Sequence, residues 1–114
     1  MDDSSPAFTR IRKDVETHPV VLYMEGTPMY PHTARAAAVA QALDTMGIPY
    51  KSVNLVDDPE VKEAIKAFGE CPDLPHLYIK GKLAGGGEAA RDLAKSGALK
   101  DKLAEAGIAA KPAE

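Results

Sequence analysis

A chain of 114 residues, 45% of them hydrophobic, has enough material for one modest core and not for two. A formal charge of -3, with Lys and Arg spread along the chain, gives no basic stripe for nucleic acid, and no apolar run approaches bilayer length, so neither nucleic acid nor membrane is an expected partner. The single cysteine, Cys71, excludes an internal disulfide or dithiol, and the acidic start Met1-Asp2-Asp3-Ser4-Ser5, which lacks an apolar stretch, predicts a cytoplasmic location.

In chain order, Ser5-Pro6 places a cap before proline at the first helical position, and Phe8, Ile11 and Val15 recur on one face, which predicts a helix to about Glu16. His18-Pro19 breaks it. Val20-Val21-Leu22-Tyr23-Met24 is an unbroken apolar run rich in β-formers and reads as a strand covered on both faces, ended by Gly26, Pro28 and Pro31. Ala34 to Met46 holds neither Gly nor Pro and repeats Val39, Leu43 and Met46 at helical spacing, with Thr33 as N-cap and Gly47 as the stop. Ile48 to Leu55 predicts a second strand near a sheet edge, because Pro49 cannot donate to a ladder.

Asp58-Pro59-Glu60 opens a third helix with Val61, Ala64, Ile65 and Phe68 inward and Gly69 after it. Cys71-Pro72-Asp73-Leu74-Pro75 is irregular, and His76 to Ile79, Lys80-Gly81 and Lys82 to Gly85 read as a hairpin. Helices from Ala89 to about Lys95 and from Leu99 to Glu105 follow. The expected domain covers residues 6–106, between a flexible start at 1–5 and a flexible tail at 107–114. Two βα units followed by a hairpin imply an α/β protein with a mixed four-stranded sheet and about five helices on its two faces.

The expected site is the strand, loop and helix start between Val20 and Arg35, since backbone N–H groups at a helix N-terminus stabilise an anion or a thiolate. Its occupant is Thr33, for which capping is a full account. Gly85-Gly86-Gly87 has no Gly-Lys-Ser/Thr ending and reads as a close turn rather than a phosphate loop.

Pro19 to Met24, Gly26-Thr27-Pro28, Pro31, Pro72 and Pro75 before Leu77-Tyr78, Gly81 and Gly85-Gly86 recur in the order and spacing of a known family. Between about Ile11 and Ala106 the chain resembles the glutaredoxins of the thioredoxin fold, and within them the monothiol class with a Cys-Gly-Phe-Ser active site. The resemblance implies a thioredoxin-like fold and sets Thr33 at the position of the active cysteine, with Ala34, Arg35 and Ala36 where Gly, Phe and Ser are usual. In that class the thiolate is the nucleophile and ligates a bridging iron–sulfur cluster, and a threonine hydroxyl does neither at neutral pH.

The same resemblance implies a glutathione groove. Pro75 would be its cis-proline, Leu74 would present backbone groups to the ligand, and Gly86 to Glu88 would form its turn. Lys62 would hold the glycine carboxylate and Glu88 the γ-glutamyl ammonium. Glu25 replaces a cation, a change worth on the order of 1 kcal/mol against an anionic ligand, and Asp73 replaces a threonine. Glutathione is therefore expected to bind weakly or not at all, and no iron–sulfur cluster is expected.

These readings predict a binding or regulatory module without turnover, its groove ringed by Glu25, Arg35, Asp73 and Glu88. Kinship implies a link to iron–sulfur or redox homeostasis, BolA-like or iron–sulfur assembly proteins as partners, and a monomer or weak homodimer. Two alternatives stand beside it. One is an oxidoreductase that uses Cys71 as a relocated nucleophile with glutathione as the outside thiol, and the other is a metal site formed by His32, His76 and Cys71.

Overall fold

The centre of the molecule is β1 (Val20–Met24), all five residues of which are buried, as an unbroken apolar run requires. The computed structural model describes residues 6–108, so the expectations for 1–5 and 109–114 lie outside the described residues. α1 (Pro6–Thr17) precedes β1, and α2 (Ala34–Thr45) leads to β2 (Lys51–Asn54). After a short 3-10 turn at Leu55–Asp57 come α3 (Pro59–Phe68), β3 (His76–Ile79), β4 (Lys82–Gly86), α4 (Glu88–Ser96) and α5 (Ala98–Glu105).

The sheet order is β2-β1-β3-β4. β1 runs parallel to β2, with Val21 opposite Lys51, and antiparallel to β3, with Tyr23 opposite His76. The mixed sheet follows from the connections: a helical crossover joins the parallel pair and a two-residue turn joins β3 to β4. β2 lies at the edge as Pro49 suggested, yet it is shorter than the sequence predicts. Ile48 to Tyr50 stay outside the ladder, and Leu55 turns into the 3-10 segment because Asn54 Oδ1 accepts the Val56 N–H at 3.0 Å.

Side-chain alternation along β1 divides the core between the two faces. Val20, Leu22 and Met24 pack with Val39, Ala40 and Leu43 of α2, Ala90 of α4, and Leu99 and Leu103 of α5. Val21 and Tyr23 pack with Ile11 and Val15 of α1 and with Val61, Ala64 and Ile65 of α3. Phe8, Phe68, Tyr78 and Tyr23 continue that second layer as edge-to-face rings with centroids 5.7 to 5.8 Å apart.

Asp58 fixes where α1 meets α3. Its carboxylate accepts the Val61 N–H as the α3 cap and pairs with Arg10 of α1, whose guanidinium holds the carboxyl below its usual range. At the other end, Gly107 and Ile108 are held in place. The Ile108 N–H donates to the Leu103 carbonyl at 2.8 Å, and its side chain packs on the core.

Candidate functional site

The exit of β1, the start of α2, the segment before β3 and the turn from β4 into α4 meet at one end of the sheet. The loop leaving β1 closes on itself: the His32 N–H donates to the Glu25 carbonyl at 3.0 Å, and Thr27 and Tyr30 exchange backbone hydrogen bonds. Gly26 makes this closure with φ +94, and a Cβ there would stand 2.5 Å from the Tyr30 carbonyl oxygen. Its N–H donates to Asn54 Oδ1 at 3.0 Å, which ties the loop to the end of β2. Met29 and Tyr30 project from the tip, 83% and 76% exposed.

Thr33 ends the loop in an extended conformation, and its Oγ1 accepts the Ala36 N–H at 3.1 Å. The side chain is thus the cap the sequence predicts, its oxygen directed at the helix backbone. At the same end of the sheet, the Leu74–Pro75 peptide bond is cis, and the Pro75 carbonyl accepts the Gly87 N–H at 2.9 Å. Leu74 itself makes no backbone hydrogen bond among the described residues.

The charges at this end of the sheet are paired with one another. Lys62 Nζ lies 3.1 Å from Glu25 Oε2, with both side chains about one-third exposed. Arg35 reaches Glu88 at 3.4 Å from the first turn of α2. Glu25 therefore does not simply add a repulsive charge, as the sequence suggested. Its carboxylate is paired with Lys62. Sequence reasoning named all four residues and missed both pairings, which join positions 37 and 53 residues apart.

The metal triad is not assembled. His32 is exposed on the loop, whereas His76 is fully buried as the first residue of β3, and among the described residues no group of three His, Cys, Asp or Glu side chains is placed to hold a metal ion. A carbonyl only accepts, so His76 Nε2 carries the proton it gives to the Cys71 carbonyl at 3.0 Å. Burial lowers the His76 pKa, which favours the neutral ring. Its Nδ1 and the Tyr78 hydroxyl, both without a hydrogen-bond partner among the described residues, lie under Gly69, where a Cβ would meet the hydroxyl at 2.7 Å and Nδ1 at 2.9 Å. Burial also raises the Tyr23 and Tyr78 hydroxyls above the usual tyrosine range. The half-buried Cys71 thiol donates to the Asp73 carbonyl at 3.8 Å and packs on Gly86. With the adjacent imidazole neutral, that ring gives no positive charge to a thiolate.

A β2-β1-β3-β4 mixed sheet between helices, with a loop and helix start facing a cis-proline, defines a thioredoxin-like protein. The solution structure of a truncated monomeric mutant of Trypanosoma brucei 1-C-Grx1 superposes with a TM-score of 0.78 at 28% identity, covering 92% of this chain and 96% of that one. The glutaredoxin family model matches residues 20–84, and the chain belongs to the glutaredoxin family.

Its curated relatives are monothiol glutaredoxins. It is 38% identical over 105 residues to monothiol glutaredoxin-5, mitochondrial, of Saccharomyces cerevisiae, covering 86% of this chain and 70% of that protein. It is 34% identical over 96 residues to the probable monothiol glutaredoxin 2 of Rickettsia conorii, covering 84% and 90%. A mitochondrial monothiol glutaredoxin of Arabidopsis thaliana is 33% identical over 93 residues, and this chain spans 55% of its length. The yeast and Arabidopsis names overturn the expectation of a cytoplasmic location. An acidic start and the lack of a long apolar run do not discriminate between compartments, so they could not carry that expectation.

Proposed function

We propose that this chain is a glutaredoxin-family binding module that carries out no thiol chemistry at the family's usual position. The observation that carries the reading is Thr33, whose Oγ1 is engaged with the Ala36 N–H at the start of α2. An unactivated neutral hydroxyl is neither a nucleophile at neutral pH nor a suitable iron ligand, so this donor set does not fit an iron–sulfur cluster. Kinship with monothiol glutaredoxins supports an iron–sulfur or redox setting, with BolA-like or iron–sulfur assembly proteins as partners. The exposed Met29 and Tyr30 beside the groove supply an apolar contact for such a protein. Reading Cys71 as a relocated nucleophile has less support, because burial disfavours a positive charge on its neighbouring imidazole.

The test is glutathione-dependent reduction of a small mixed disulfide by the purified chain, Thr33→Cys and Cys71→Ser. The expected result is no turnover by the natural chain or by Cys71→Ser, and measurable turnover by Thr33→Cys. Turnover by the natural chain that disappears in Cys71→Ser would overturn the proposal in favour of the oxidoreductase.

A further inference from the structure

We propose that a cavity between the C-terminal half of α2 and the joint of α4 with α5 is a binding site for a single-chain amphipathic anion, an aliphatic carboxylate. Ala38, Ala42 and Thr45 recur at helical spacing and share the face of α2 that is turned to this joint. Alanine is too short to fill the space opposite Ala94 and Leu99. A mainly apolar cavity of about 450 Å³ remains, within the range of roughly 300 to 1,000 Å³ usual for small-molecule sites. Both ionisable residues that line it are cations: Lys95 in the last turn of α4 and Lys100 in the first turn of α5. Neither forms an ion pair among the described residues, and Asp92, the carboxylate nearest Lys95 in sequence, is paired with Arg91. Lys95 suits the carbonyl end of its helix, but Lys100 stands at a helix start, where a cation opposes the dipole. Its charge is better matched by an anion held outside the chain. The occupant these features select has an apolar chain for the alanine-lined space and one negative head for the two lysines. A protein partner fits less well, since a stable interface engages about 20 to 30 residues a side, well beyond what this cavity presents. The site is also separate from the Thr33 loop, because the 12 residues of α2 set Thr45 roughly 17 Å along the helix from Ala34.

The experiment is an amide chemical-shift titration of the whole chain with sodium octanoate, and with 1-octanol and octylammonium as probes of equal chain length and different charge. Shifts are followed at Ala42, Ala94 and Leu99, and undisturbed resonances elsewhere establish that each variant is folded. Octanoate is expected to move these amides saturably. Two exposed lysines at about threefold each should make it bind about tenfold more tightly than octanol, with octylammonium weakest. Lys95→Met combined with Lys100→Met keeps the apolar stems and is expected to bring octanoate down to the level of octanol. Ala42→Leu fills the space and is expected to abolish binding of both. The lysine variants change only exposed side chains, so they decide the question even where Ala42→Leu disturbs the fold. Octanoate that binds no better than octanol, that keeps its affinity without the two lysines, or that shifts amides elsewhere instead overturns the proposal. Shifts of the same three amides with protein concentration alone overturn it in favour of a second copy of the chain on this face.

Discussion

Two single residues carry effects that follow from one bond or one missing bond. Thr33 gives its oxygen to the Ala36 N–H, so Thr33→Ala removes a helix cap and is expected to cost about 1 kcal/mol in urea unfolding, whereas Thr33→Gly costs only a few tenths. His76 is neutral inside the fold, with its pKa lowered by burial from a usual value of 6.5. Below that pH the unfolded chain takes up the proton while the folded chain does not, so stability is complete above about pH 7 and falls on acidification, by up to about 1.4 kcal/mol per pH unit. Urea midpoints at about pH 7.5 and about pH 5.5 should therefore converge in His76→Gln relative to the natural chain. A natural chain with equal midpoints would contradict this account of the buried ring.

At the scale of elements, local punctuation was legible because its physics is local. Thr33, Asp58-Pro59 and Lys80-Gly81 mark a cap, a second cap with proline at N1, and a hairpin turn, and all three occur where expected. What the sequence concealed was the end of β2, where Asn54 diverts the chain through a side-chain bond to Val56, and the crowding at the turn from β4 into α4. There a Cβ on Gly86 would stand 2.8 Å from Cys71 Sγ and 3.2 Å from His76 Cδ2. Gly86→Ala should destabilise by about 1 to 3 kcal/mol, and Cys71→Ala in the same chain should recover a measurable part of it. Equal losses with and without Cys71 would place the crowding elsewhere.

Across the whole molecule, the sheet separates two packed layers that share only its strands. Val15 belongs to the α1 and α3 side, and Val39 to the side of α2, α4 and α5. Val15→Ala and Val39→Ala should consequently add, with the double variant matching the sum of the single losses in urea unfolding to within about 0.5 kcal/mol. This scale also separates what could be read from what could not. The run Val20 to Met24 announces a buried central strand by composition alone. The Glu25–Lys62 and Arg35–Glu88 pairs join distant segments whose meeting depends on the finished sheet and helix packing. The pairings were therefore visible only in three dimensions.

The projecting loop tip gives this protein an optical handle. With no tryptophan and four tyrosines, its ultraviolet emission comes from phenol rings, and two of these, Tyr23 and Tyr78, lie inside the fold against each other. Tyr30, 76% exposed beside the groove, dominates the fraction that a dissolved quencher such as iodide can reach. A molecule that settles over the loop would shield that ring and lower the quenchable signal without a dye, a tag or a substitution.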